Sequence, residues 1–202
     1  MKIMVINPNT SKSMTDHMRR ELMGIKRPET ELTVTCPDRG PISIESAYDE
    51  ALAIPPTLEL VKRANREGYA AAILACFSDP GLYAAKEISD ILVVGIQEIS
   101  LRMATTLGSK FTILTLFKER IPHKENDVWR NRLTPYLASV RELGMSVLET
   151  DSDPDRTRKR ILAVAKQDLE AGTELDGLGG FTCSGLVDDA EPCHQEGLPP
   201  MG

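Results

Sequence analysis

Two cysteines stand where apolar runs end. Cys76 closes YAAAILAC and is followed by Phe77-Ser78-Asp79-Pro80-Gly81, a turn leading into a helix-like segment. Cys183 closes the run at 175–182 and is followed by Ser184-Gly185-Leu186. A lone cysteine in such a place reads first as a small buried hydrophobe. The flanks argue for reactivity. A sulfur near the unpaired N–H groups of a helix N-terminus has a lowered pKa, which is the expectation for Cys76. Around Cys183, the small residues Thr182, Ser184 and Gly185 let backbone amides approach a ligand. A single activated thiol would suggest nucleophilic catalysis, yet none of the three histidines, His17, His123 and His194, has a strand-end position from which to serve as its base. Two opposed thiols suggest proton transfer instead. With an acidic C–H between them, one thiolate removes the proton from one face and the other thiol delivers a proton to the opposite face, inverting the carbon without a cofactor.

The elements that must position these thiols alternate between short apolar runs and longer amphipathic ones, the pattern of an α/β fold around parallel sheets. Strands are predicted at 2–6, 31–36, 69–76 and 91–95, and helices at 11–23, 46–67, 82–88 and 97–107. Pro55-Pro56 should bend or break the long second helix. The pattern then restarts, with a strand at 111–116, a helical stretch over 120–143 broken near Thr134-Pro135, a strand at 145–150, a helix at 154–171 and a last, glycine-rich strand at 175–182. Two pseudosymmetric parallel-sheet halves are therefore expected, 1–96 carrying Cys76 and 97–186 carrying Cys183, with an irregular tail at 187–202. Ligands of open parallel sheets bind at the carboxyl ends of the strands. Two halves facing each other would place the sulfurs across one cleft, roughly 6–8 Å apart for two proton-transfer reaches of about 3 Å each.

Composition narrows the function classes. The chain has 202 residues, 41% of them hydrophobic, enough for a sizeable core. Its net charge of −6, with no concentrated basic surface, argues against nucleic acid as a partner. No apolar stretch approaches the ~20 residues of a membrane-spanning helix, and MKIMVINPNT turns polar too soon for a signal peptide, so no membrane association and a cytoplasmic location are expected. The four cysteines lack C-x-x-C spacing and read as free thiols, and the scattered histidines predict no metal site. Cys36, followed by Pro37, reads as structural or cleft-edge, and Cys193 as exposed. Asn7 and Asn9, just after the first strand, either bond a ring carbonyl or amide or only shape the turn and cap the helix. Ser78 is a helix cap or a ligand contact.

VINPNTS at 5–11, PISIESAYDEALAIP at 41–55, ILACFSDPGLYAAKEI at 73–88 and VVGIQEIS at 93–100 resemble the hydantoin and allantoin racemases of the aspartate/glutamate racemase superfamily. The resemblance implies a pseudosymmetric two-domain α/β fold, no cofactor, and two cysteines acting as acid and base. Cys76 matches the first catalytic position. Cys183 matches the second, in Thr-Cys-Ser-Gly-Leu where the family usually has Gly-Cys-Ala-Gly-Met. Thr115 matches one member of a threonine pair whose other position is Leu116 here. The implied substrate is a small cyclic ureide, a 5-substituted hydantoin or allantoin, contacted by Asn7, Ser78, Thr115, Ser184 and Gly185, with the amides of Ser78 and Ser184 stabilising an enolate. Another two-cysteine racemase or isomerase of the superfamily, or an impaired homologue that binds without turnover, are the alternatives. EPCHQEGLPPMG shows no periodicity where the family continues with a strand and a closing helix, so the tail is expected to pack poorly. A homo-oligomer is also expected.

Overall fold

Four parallel strands form the larger sheet of the computed structural model, which describes residues 1–170: β1 (Lys2–Ile6), β2 (Glu31–Thr35), β3 (Ala71–Leu74) and β4 (Leu92–Gly95), in the order β2-β1-β3-β4. The register aligns Ile6 with Leu74 and Leu74 with Gly95, so the residues that follow these strands emerge along one edge. Met4, Ile6, Ala72 and Leu74 are fully buried, as expected of strands covered on both faces.

The helices of this half start where side chains can satisfy their first amides. Ser11 caps α1 (Lys12–Ile25) by accepting from Met14 N, and a reciprocal Ser46–Asp49 capping box opens α2 (Ala47–Arg66). Pro55 and Pro56 do not break α2, which continues for 20 residues. Proline's fixed φ suits a helix, and the buried Ala53, Pro56, Thr57, Val61 and Ala64 hold the segments on either side of the missing N–H groups to one packed face. After the short α3 (Leu82–Glu87) and β4, α4 (Ile96–Leu107) leads into the second half.

There, β5 (Phe111–Thr115) pairs in parallel with β6 (Leu137–Glu142), joined by α5 (Ile121–Arg130). The chain continues through α6 (Val147–Ser152) and α7 (Pro154–Glu170). Strands and helices thus alternate from β1 to α6, and a second capping box, Ser146–Glu149, opens α6 as Ser46–Asp49 opens α2.

Two predicted elements are corrected. Residues 137–142 form a strand, not the end of a helix: Arg132 at φ 60 terminates α5, and the tail of that segment is captured by pairing with β5, burying Val140. Residues 147–152 are helical, not extended, because Gly144 at φ 67 turns the chain and the Ser146–Glu149 box starts a helix. Ser146-x-x-Glu149 is the spacing of such a box. The expected strand at 175–182, Cys183, Ser184, Gly185, Cys193 and the tail at 187–202 lie outside the described residues.

Each sheet has its own apolar core. Met4, Ile6, Val61, Leu74 and Leu82 belong to the first, and Leu101, Phe111, Ile113, Val128 and Val140 to the second. Phe77 lies in the second core although it follows β3 of the first sheet, so the residue after Cys76 ties the two halves together.

Candidate active site

Beyond β3, Ala75 N still donates to Ile6 O at 2.8 Å, and the chain then leaves the sheet at Cys76. Cys76 faces a cavity of about 120 Å³ at the carboxyl ends of β1, β3 and β5. That size is on the order of the ~150 Å³ cavity that holds one benzene ring. Asn7, Cys76, Ser78 and Thr115, four of the predicted site residues, line it together. Met14, Met18, Ile44, Leu114, Leu116 and Leu143 give the same cavity a largely apolar wall.

The Cys76 thiol is pushed up, not down. Burial is the largest cause, since the thiolate loses its water. Ser78 opposes this through its hydroxyl, 3.4 Å from Sγ, and its backbone N–H, and the Lys124 charge opposes it further. The helix N-terminus that was expected to lower the pKa is not beside the sulfur: α3 begins only at Leu82, after Gly81 in the left-handed region. Ser78 is therefore a partner of Cys76 and not a helix cap.

Asn7 and Asn9 act mainly on the turn. Asn7, 1% exposed, donates to Asn9 Oδ1 at 2.7 Å and Thr15 Oγ1 at 3.0 Å, and its own Oδ1 accepts from Asn9 N. Asn9 Oδ1 also accepts from Ser11 N at 2.9 Å. Among the described residues, the Asn9 amide donates only to the Met14 sulfur, at 3.6 Å, a weak acceptor that a ligand oxygen would displace. The Thr115 hydroxyl, in contrast, has no hydrogen-bond partner among the described residues, although Thr115 is buried beside the cavity. It is the group of the predicted set best placed to receive a ligand.

Several functional candidates were invisible to sequence reasoning. Lys124 of α5, 5% exposed, donates to the Phe77 carbonyl and lies 3.4 Å from Asp127. Gln97 of α4 donates to the same Phe77 carbonyl at 2.9 Å and to Asp127 at 2.9 Å. Arg120, in the 3-10 turn Lys118–Arg120, pairs with Glu50 of α2, and Glu45 accepts from Val147 N at 3.1 Å. The bonds to the Phe77 carbonyl, the Arg120–Glu50 pair and the Glu45–Val147 contact each join the two halves, whereas the bonds to Asp127 stay within the second. In the sequence these charges look like the solvated faces of helices; only the buried position distinguishes them. Among the described residues, no cluster of three or more His, Cys, Asp or Glu side chains could hold a metal ion, and no helix is long and apolar enough to cross a membrane.

Residues 3–195 match the model of a family described as Asp/Glu/Hydantoin racemase. The chain is 34% identical over 200 residues to a hydantoin racemase from Pseudomonas sp. (strain NS671), covering 98% of this chain and 80% of that one. It is also 34% identical over 202 residues to the hydantoin racemase of Paenarthrobacter aurescens, covering 98% and 84%. Among solved structures, an allantoin racemase from Klebsiella pneumoniae superposes with a TM-score of 0.82 at 28% identity, covering 89% of this chain and 74% of that one.

Proposed function

Because the chain belongs to the Asp/Glu/hydantoin racemase family, we propose that it racemises a cyclic ureide, a 5-substituted hydantoin or allantoin, by cofactor-independent proton transfer between Cys76 and Cys183. The observation that carries this reading is the gathering of Cys76, Ser78, Thr115 and Asn9 around a cavity of the size of one small ring. Cys76 as thiolate takes the proton from C5 of the ring, the C–H electron pair moves into the adjacent carbonyl, and an enolate forms. Cys183, assigned by the likeness of Thr182-Cys183-Ser184-Gly185 to the family's second catalytic motif, protonates C5 from the other face. Thr115 and Asn9 donate to ring oxygens, and Ser78 holds the Cys76 sulfur. Residues 1–96 and 97–186 supply one thiol each in this reading.

The protein would work in the cytoplasm, where thiols remain reduced, and as a homo-oligomer. Ile99, Met103 and Leu107 support the oligomer: they recur at four-residue spacing along α4 and are all exposed.

The test is solvent-deuterium exchange at C5 together with loss of optical rotation, for the wild type, Cys76→Ser and Cys183→Ser. Racemisation should collapse in both variants. Wild-type rates in either would remove that thiol from the mechanism. A ligand-induced rise in melting temperature without any exchange would identify a binding protein instead.

A further inference from the structure

A lysine is seldom buried unless its charge has a use or a partner. Lys124 lies at the wall of the Cys76 cavity with its ammonium 5.3 Å from the centre of the Phe77 ring. Its Nζ carries three protons. The Phe77 carbonyl accepts one and Asp127 Oδ2, at 3.4 Å, another. The third has no acceptor among the described residues. Asp127 does not line this cavity; it lines a second one, together with Ser78, Asp79, Pro80 and Gly81. Lys124 thus borders the Cys76 cavity while its carboxylate partner does not.

We infer that Lys124 is a catalytic residue of this site, donating its free N–H to the substrate oxygen that gains charge when C5 is deprotonated and, before that step, balancing the Cys76 thiolate. The inference rests on the racemase reading above. Its chemistry is conservative: the proton passes from C5 to sulfur, and the negative charge passes from sulfur to the enolate oxygen. One negative charge is present before and after, so one fixed cation serves both states without moving.

Among the described residues, the other charged groups near Cys76 are already engaged. Arg120 is paired with Glu50, Glu45 accepts from Val147 N, and Asp79 accepts from the amides of Gln97 and Glu98. Gln97 supports Lys124 by sharing both of its acceptors, which makes Gln97 a positioning residue.

The experiment uses the full chain with Lys124→Met and Lys124→Arg. Alkylation of Cys76 by iodoacetamide is followed against pH by peptide mass spectrometry, and C5 deuterium exchange gives kcat and KM. Lys124→Met should raise the alkylation midpoint by about one pH unit or more, a tenfold loss of thiolate. Its kcat should fall about 10²–10³-fold with a much smaller change in KM, and Lys124→Arg should keep the wild-type midpoint. An unchanged midpoint with kcat within about threefold of wild type overturns the inference. If Lys124→Met does not fold, the wild type still decides. A cation facing Cys76 makes anionic iodoacetate faster relative to neutral iodoacetamide than it is at a free thiol such as glutathione, and a ratio at or below that of the free thiol overturns the inference. The alkylation measurements need no turnover, so they separate this inference from the racemase reading, whose failure appears as absent exchange in the wild type.

Discussion

A Cβ on Gly95 would lie 2.2 Å from Cγ of Asp79. No side chain fits there, because the Asp79 carboxylate occupies the start of α4, accepting from Gln97 N at 3.0 Å and Glu98 N at 2.8 Å. Asp79 itself is held at φ 44, and its N–H donates to the Cys76 carbonyl at 2.9 Å. The turn carrying the thiol is thereby pinned to the first helix of the second half. Gly95→Ala should cost about 2–4 kcal/mol in urea unfolding, combining overpacking with loss of the cap. A variant as stable as the wild type would show that the turn can be displaced freely.

Asp79 also gives stability a pH dependence. Desolvation pushes its carboxyl up to about 6, against the pull of the two amides. The folded state therefore holds the proton more tightly than the unfolded chain, so this contribution is fully present below about pH 4 and is lost as pH rises through about 6. Relative to Asp79→Asn, the wild type should gain about 2–3 kcal/mol between pH 6.5 and pH 4. Urea midpoints of both proteins across that range check the sign, and a constant difference would contradict it.

Burial makes the Cys76 thiol a reluctant base, and Ser78 is one of the groups that offset this. Ser78→Ala should move Cys76 alkylation to higher pH and slow C5 exchange at pH 7 about tenfold, while exchange still rises with pH as the thiolate forms. A pH profile that overlays the wild type would leave Ser78 without a role at the sulfur.

Arg120 and Glu50 connect the second half to α2 at the rim of the cavity. Removing one partner leaves the other charge partly buried and alone, so Arg120→Met or Glu50→Gln should each destabilise by about 2 kcal/mol, less than for a fully buried pair because Glu50 retains some solvent contact. The double variant should recover part of the loss. Thermal melts of the three proteins form the cycle, and strict additivity would mean that the pair is not coupled.

Leu116 beside Thr115, with Met14, Met18 and Ile44, gives the cavity few partners for a polar substituent. A 5-isobutyl hydantoin should therefore exceed allantoin in kcat/KM by at least about tenfold, and Leu116→Thr should narrow the gap. Equal values for both substrates in the wild type would mean that the substituent points elsewhere.

The alternation of strands and helices in the first half and the strand-end position of Cys76 were legible in the residues, because each depends on a local pattern: a continuous apolar run followed by a Pro-Gly turn. Segment 137–150 was not, since neither LASVRE nor SVLETD has a decisive period. Pairing with β5 made one a strand, and a left-handed glycine and a capping box made the other a helix. The clustering of Asn7, Ser78 and Thr115 with Cys76 could be expected from their strand-end positions, but their duties could not: the Asn7 amide is consumed within its turn, whereas the Thr115 hydroxyl is open to the cavity. The protonation of Cys76 and the presence of Lys124 beside it belong wholly to the tertiary structure. A thiol's pKa follows from the water it loses and the charges it gains; here those charges are Glu50 of α2 and Lys124 of α5, and Lys124 meets Cys76 only when the two halves pack.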